Sequence, residues 1–185
     1  MRTAEVSQPR FTHPRSCAKV GAVYTAGIIT ISDKGAAGRR EDRSGPALKE
    51  ALEAAGISVA FMRIVPDDVD RIREALLELC DMHKLDLVLT TGGTGLSPRD
   101  VTPEATCTVI ERQAPGFSEA IRSEGLKVTP HAMISRGMSG VRAGTLIINL
   151  PGSPKGAREG LGAVLPAIPH ALSKLKGDPA ECCRE

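Results

Sequence analysis

The chain has no tryptophan and a single tyrosine, and aromatic side chains make up only 2% of its 185 residues. The stacking platforms on which proteins lay single-stranded nucleic acid are therefore missing. No apolar run approaches the ~20 residues that a membrane helix needs. Charge of one sign is lacking as well: the net charge of +2 marks neither a polyanion binder nor an acidic tail. Met1 to Lys19 carries no apolar stretch of the secretory type. These absences predict a cytoplasmic protein with no nucleic-acid and no membrane partner. There is no Cys-x-x-Cys pair, the four histidines are scattered, and the cysteine count of five is odd. A disulfide framework and a structural zinc are both excluded on that basis. Cys80 and Cys107 fall inside predicted helices and read as small core residues, whereas Cys17, Cys182 and Cys183 lie in polar ends. Three catalytic fingerprints are also missing: the P-loop, the dinucleotide-binding Gly-x-Gly-x-x-Gly unit and the Gly-x-Ser-x-Gly elbow.

What is present is hydrophobic patterning for one globular domain, with 41% hydrophobic and 25% charged residues. Residues 1–20, rich in Pro, Arg, Ser and Thr, read as a disordered extension, residues 21–178 as the folded domain, and 179–185 as a mobile tail. Within the domain, short apolar runs alternate with segments of helical period. Strands are predicted at Gly27 to Ile31, Ser58 to Val65, Leu85 to Leu89 and Thr145 to Ile148. A helix opening at Asp42 or Ser44 ends at Gly56, a left-handed cap. The next opens at Asp67 as N-cap, with Val69, Ile72, Leu76, Leu77 and Cys80 as its apolar stripe. Further helices are predicted from Thr102, over a short span around Phe117 to Ile121, and from Ser153 through Leu175. Unalternated strands between helices mean a three-layer α/β/α fold around a mainly parallel sheet. Ligands in such folds bind beyond the carboxyl ends of the strands, so the loops at Ser32, Pro66, Gly92 and Pro151 should gather at one edge.

The densest chemistry lies between Thr90 and Glu104. Gly92, Gly93 and Gly95 permit positive φ and close backbone approach. Thr90, Thr91, Thr94 and Ser97 supply hydroxyls and Arg99 a guanidinium, a set suited to an anion such as a phosphate. Asp100 and Glu104 would repel that anion unless a cation stood between them. Thr102 followed by Pro103 reads as an N-cap with proline in the first turn. Asp67 is readable as a helix N-cap, Asp33 as an Asx-turn or a site acid, and Asp42 as a helix-start acid. Asn149, Pro151, Gly152, Ser153 and Lys155 place glycine, hydroxyl and ammonium groups at a helix N-terminus, and Ser135 with Arg136 adds a donor pair. His131 and His170 read as structural.

The string from Thr90 to Glu104 resembles the signature of the molybdenum-cofactor biosynthesis family of molybdopterin-binding proteins. Ile29-Thr-Ile-Ser-Asp-Lys34, Glu41-Asp-Arg-Ser-Gly-Pro46, Ile64-Val-Pro-Asp67 and Ile148-Asn-Leu-Pro-Gly-Ser-Pro-Lys155 resemble its other segments, in the same order. The likeness runs from about Ala26 to Leu175 and is greatest to the compact adenylylating members. It implies transfer of AMP from ATP to the terminal phosphate of molybdopterin, with Mg²⁺, in a homotrimer that hands its product to a molybdenum-inserting enzyme. It also implies that Asp67 and Asp100 are the catalytic, metal-side carboxylates. Ser32, Asp33, Asp42, the Thr90 to Ser97 loop, Arg99, Thr102, Glu104, Ser135, Arg136 and the Asn149 to Lys155 segment would bind substrate and nucleotide. A non-catalytic molybdopterin-binding scaffold is the alternative. Nicotinamide-nucleotide-processing relatives carry a further domain for which this chain has no room.

Overall fold

A computed structural model describes residues 24–179. The expected extension over 1–20, nearly all of the tail over 179–185, and Cys17, Cys182 and Cys183 lie outside the described residues.

Six strands form one sheet: β1 (Thr25–Ile31), β2 (Ser58–Val65), β3 (Leu87–Thr91), β4 (Arg112–Gln113), β5 (Ser139–Arg142) and β6 (Thr145–Leu150). Their order is β2-β1-β3-β6-β5-β4. The first four in that order are parallel, and β5 and β4 close one edge antiparallel. The helices are α1 (Asp33–Ala36), α2 (Ser44–Ala54), α3 (Val69–Leu77), α4 (Thr102–Cys107), α5 (Pro115–Val128), α6 (Pro154–Val164) and α7 (Ile168–Leu175). Side chains alternate across each strand and so feed two cores. Ala26, Ile28, Leu87, Leu89, Leu146 and Ile148 pack with Leu48 and Leu52 of α2 and the apolar sides of α5, α6 and α7. Ile29, Ile31, Val88 and Ile147 pack with Ile72 and Leu76 of α3 and with Ala105 of α4. Each fully buried Leu or Ile contributes ~1.5–3 kcal/mol, so the central strands are fixed from both faces. The three-layer, mainly parallel expectation holds.

Gly56 ends α2 as expected, at φ +79°. Its amide donates to Glu53 O and that of Ile57 to Leu52 O, which is the paired closure of a left-handed helix stop. Other boundaries differ. The N-cap of α3 is Asp68, whose carboxylate accepts from Arg71 N at 3.0 Å; Asp67, expected in that role, sits one residue too early. Thr102 is already helical and leaves its cap position to Val101, because its hydroxyl donates back to Gly92 O at 2.9 Å. The helix expected around Phe117 runs for 14 residues. The region after Ser153 is two helices, split by a 3-10 turn at Leu165–Ala167. Cys80 is buried, and burial pushes its thiol up to about 11. Cys107 is exposed, against expectation, since it is the last residue of a short α4 and faces away from Ala105 and Val109.

Candidate functional site

The chain leaves β1 for β2 on one side and then crosses back from β2 to β3 on the other. Connections that diverge in this way leave a crevice at the carboxyl ends of β1 and β3, where open α/β sheets bind ligands. A cleft of about 610 Å³ opens there. Its wall takes Ser32 and Ser44 from the segment after β1, Asp67 from the loop after β2, Gly92 and Gly93 after β3, and Gly152 and Ser153 after β6. The four loops singled out in the sequence do converge.

The floor is made by close backbone packing. Gly92 has φ +107°, and a Cβ there would fall on the Ile31 carbonyl oxygen. Gly93, at φ +61°, leaves room for the Thr102 hydroxyl and lies beside the Asp67 carboxylate. Only glycine meets both demands. Thr91 Oγ1 donates to Pro151 O at 2.7 Å and Ser44 Oγ to Gly152 O at 2.9 Å, which ties the β6 loop to the floor and to the start of α2.

Beside the cleft, four charged groups interact. Asp33 N donates to Asp67 Oδ2 at 2.8 Å, and Asp67 N donates to Asp33 Oδ1 at 3.1 Å. Arg99 forks onto Asp33, with Nη2 at 2.8 Å from Oδ2 and Nε at 3.2 Å. That guanidinium is the main reason the Asp33 carboxyl is held below its usual range. Asp67 moves the opposite way. Burial pushes its carboxyl up, and the charges of Asp33 and Asp100 add to the push. The Arg99 guanidinium pulls the other way, but it is forked onto Asp33 rather than onto Asp67.

The remaining expected site residues divide sharply. Asp42 does stand at the start of α2, accepting from Ser44 N and Gly45 N at 3.0 Å and from Thr30 Oγ1 at 2.7 Å. Its own carboxylate thus fills that helix N-terminus. Ser32 caps α1, accepting from Gly35 N, and Ser153 caps α6, accepting from Gly156 N at 3.1 Å. Asp100 accepts from Ser97 N at 2.8 Å inside the glycine loop. Asn149 and Thr90 are not at the cleft surface. Asn149 is 2% exposed, donating to Thr90 Oγ1 and Thr106 Oγ1 and accepting from Met138 N. Thr94 is buried, and the Ser135 hydroxyl accepts from its neighbour Gly137 N. Arg136 is bound to Glu104 and to the carbonyls of Gly95 and Asp100 rather than turned to the cleft. Lys155 stands 78% exposed on α6, with Nζ 3.8 Å from Glu159 and outside the cleft wall.

Eight wall residues were missed by sequence reasoning: Thr30, Ile31, Gly35, Arg40, Glu41, Arg43, Ser44 and Pro154. The signal was there in Arg39-Arg40-Glu41-Asp42-Arg43, but a mixed charge run reads as a solvated face. Among the described residues no group of three or more His, Cys, Asp or Glu side chains stands ready to enclose a metal. Asp67 at the wall, with Asp100 near it, can offer a cation a small number of oxygens.

The description "Probable molybdopterin binding domain" belongs to a family whose model matches residues 27–170. The molybdopterin adenylyltransferase of Helicobacter pylori strain 26695 is 44% identical over 154 residues, spanning 82% of this chain and 88% of that protein. The molybdopterin adenylyltransferase of Escherichia coli K12 is 38% identical over 174 residues, spanning 86% and 89%. Among solved structures, the molybdopterin biosynthesis enzyme MoaB of Thermus thermophilus superposes with a TM-score of 0.80 at 51% identity, covering 85% of this chain and 99% of that one.

Proposed function

This chain belongs to the molybdopterin-binding family of molybdenum cofactor biosynthesis, and from that premise we propose how its cleft works as a molybdopterin adenylyltransferase. The enzyme joins AMP from ATP to the terminal phosphate of molybdopterin and releases pyrophosphate. A molybdopterin phosphate oxygen attacks the α-phosphorus of ATP, and the bond from that phosphorus to the pyrophosphate oxygen breaks. The nucleophile is already mostly ionised near neutrality, since a phosphate monoester has its second pKa near ~6. No side chain is therefore needed as a base. The work lies in holding two polyanions in line.

The observation that carries this reading is the meeting of all four strand-end loops on one cleft with Asp67 in its wall. The backbone at Gly92 and Gly93 allows a phosphate group to approach the sheet edge closely, and Arg40 and Arg43 add positive charge on the α2 side. Asp67 and Asp100 are the residues assigned to Mg²⁺. Asp67 is half-buried beside the carboxylates of Asp33 and Asp100, with Arg99 forked onto Asp33 rather than onto it, which fits a cation. A small donor set suits Mg²⁺, which takes most of its shell from water and phosphate oxygens. When bound, Mg²⁺ would neutralise charge on the nucleotide phosphates. Asp33 and Arg99 orient Asp67 from behind through the exchanged amides.

The same reading carries cytoplasmic work, a homotrimer and hand-over to a molybdenum-inserting enzyme. What supports assembly is the exposed apolar set Leu126, Val128, Met133 and Ile134 at the end of α5 and the 3-10 turn Pro130–Ile134. No described helix is long and apolar enough to cross a membrane. Incubation with molybdopterin, ATP and Mg²⁺ tests the activity. Pyrophosphate release in step with adenylyl-molybdopterin is expected; tight pterin binding without release would replace the enzyme with a carrier.

A further inference from the structure

Arg136 makes an unusual set of contacts for a residue that no strand or helix contains. Its backbone amide donates to Thr94 O at 2.8 Å, and its Nε donates to Gly95 O at 2.7 Å. The other guanidinium nitrogens reach the Asp100 carbonyl and the Glu104 carboxylate. One residue thus grips the glycine loop at three backbone carbonyls and grips the first turn of α4 as well. The Glu104 carboxyl is held below its usual range chiefly by this guanidinium.

Beyond the Arg99 fork onto Asp33 and the Thr102 bonds to Gly92 O and Gly93 O, the loop it grips has little else to shape it. Leu96, Ser97, Pro98 and Arg99 are exposed, and Gly95 adds no side chain. Inside the loop, Ser97 N donates to Asp100 Oδ2 and Asp100 N donates to Ser97 O, both at 2.8 Å. That small ring sets where the Asp100 carboxylate points. The carbonyls of Gly95 and Asp100, on either side of that ring, are turned toward a common donor, and the Arg136 fork is that donor. A planar guanidinium supplies several donors at fixed angles, which a lysine ammonium does not.

We propose that Arg136 is a positioning residue for adenylyl transfer: it clasps the glycine loop so that Asp100 is presented to the nucleotide side, and it does not itself bind phosphate. The clasp rests on the adenylyltransferase reading above only for the rate it controls; its effect on the loop can be read without catalysis. Glu104 holds the far end of the same guanidinium and belongs to the same device.

The experiment compares the wild-type protein with Arg136→Lys and Glu104→Gln in three measurements. Amide hydrogen exchange follows the Ser97 and Asp100 N–H groups, steady-state kinetics separates kcat from KM for Mg²⁺–ATP, and titration gives molybdopterin affinity. In Arg136→Lys, Ser97 and Asp100 should exchange at least about tenfold faster while amides of β1 and β3 are unchanged. The transfer rate should fall about 10–100-fold, with molybdopterin affinity held within about threefold. Glu104→Gln should move the same quantities in the same direction by less. Unchanged exchange at Ser97 and Asp100 would overturn the clasp, whatever the rates do. A loss of molybdopterin affinity equal to the loss of rate would make Arg136 a phosphate ligand and overturn the proposal too. Wild-type protein that releases no pyrophosphate, while the variants still loosen the loop, would overturn the adenylyltransferase reading and leave the clasp standing.

Discussion

Two aspartates that share a pair of backbone hydrogen bonds titrate in opposite directions. Asp33 and Asp67 each accept the amide of the other, so their local hydrogen bonding is nearly symmetric. What differs is burial and countercharge. Asp33 faces the Arg99 fork and its carboxyl lies below the usual range; Asp67 faces the cleft, half-buried, and its carboxyl lies above it. The same contrast separates the two halves of the site. On the glycine-loop rim Arg99 is matched with Asp33 and Arg136 with Glu104, whereas Asp67 at the wall and Asp100 beside it have no ion-pair partner among the described residues. Charge that the fold has already neutralised holds shape, and charge left unmatched is what a ligand can use.

The contrast presupposes the floor that brings the halves together, so the largest effect is expected there. Gly92→Ala puts a Cβ on the Ile31 carbonyl oxygen at φ +107°. Backbone strain alone is worth ~1–3 kcal/mol, and the clash adds to it. A thermal melt lowered by several degrees and adenylyl transfer below detection are expected. A variant that melts and turns over normally would show that the loop has another conformation.

Next come the unmatched acids. Asp67→Asn and Asp100→Asn remove charge but keep size, and a lost transition-state contact of this kind costs ~3–4 kcal/mol, or ~10²–10³ in rate. Asp67→Asn leaves the α3 cap intact, because that cap is Asp68. Normal rates in both variants would remove the catalytic assignment.

Stability against pH sharpens the comparison itself. Both acids start from an ordinary value of 3.8. Asp33, depressed in the folded protein, contributes stability above that value, and the contribution is lost as pH falls through its lower folded pKa. Asp67, raised in the folded protein, contributes stability below 3.8 and loses it as pH rises through its higher folded pKa. At neutral pH Asp67 is therefore a cost. Asp67→Asn should gain on wild type as pH climbs from about 4 until the Asp67 carboxyl is fully ionised, then run parallel to it. Asp33→Asn should lose on wild type over the low-pH range and stay below it. Denaturation at a series of pH values measures both; two curves of the same sign would erase the distinction.

Much of this was legible in the sequence because it rests on local patterns. Ile28 to Ile31 and Leu87 to Leu89 lie in short apolar runs, although β3 continues through Thr90 and Thr91, which read as loop hydroxyls. Gly56, Gly92 and Gly93 mark positions where the backbone needs positive φ. The antiparallel edge was not legible: β4 is two residues long, and β5 begins Ser-Gly, so neither carries a strand pattern. The α3 cap was missed by one place because Pro66 is followed by two aspartates, either of which caps well. Arg99 and Arg136 read as phosphate donors because their partners, Asp33 and Glu104, lie 66 and 32 residues away. Sequence supplies the charges; only the fold says which are already matched.

That cap gives a smaller expected effect. Asp68→Ala removes the acceptor of Arg71 N, worth ~0.5–2 kcal/mol, so the melt should drop by a few degrees with transfer within about twofold of wild type. A large rate loss at full stability would mean that Asp68, not Asp67, faces the substrate.

The smallest effect is expected at Lys155, where sequence pattern and geometry disagree most. The pattern Leu-Pro-Gly-Ser-Pro-Lys puts an ammonium beside a helix N-terminus, a good place for a phosphate. The fold turns that side chain out along α6, 78% exposed, with Glu159 one helical turn on at 3.8 Å. An exposed pair of this kind contributes ~0–1 kcal/mol, and the α6 N-terminus keeps its Ser153 cap without it. Lys155→Ala should therefore leave the melt within about two degrees and KM for either substrate within about threefold. A tenfold rise in KM for molybdopterin alone would mean that Lys155 swings back across the α6 N-terminus when the pterin phosphate binds. The matched rim and the unmatched wall would then no longer be the whole division of charge in the site, since a residue paired on the surface would have crossed between them.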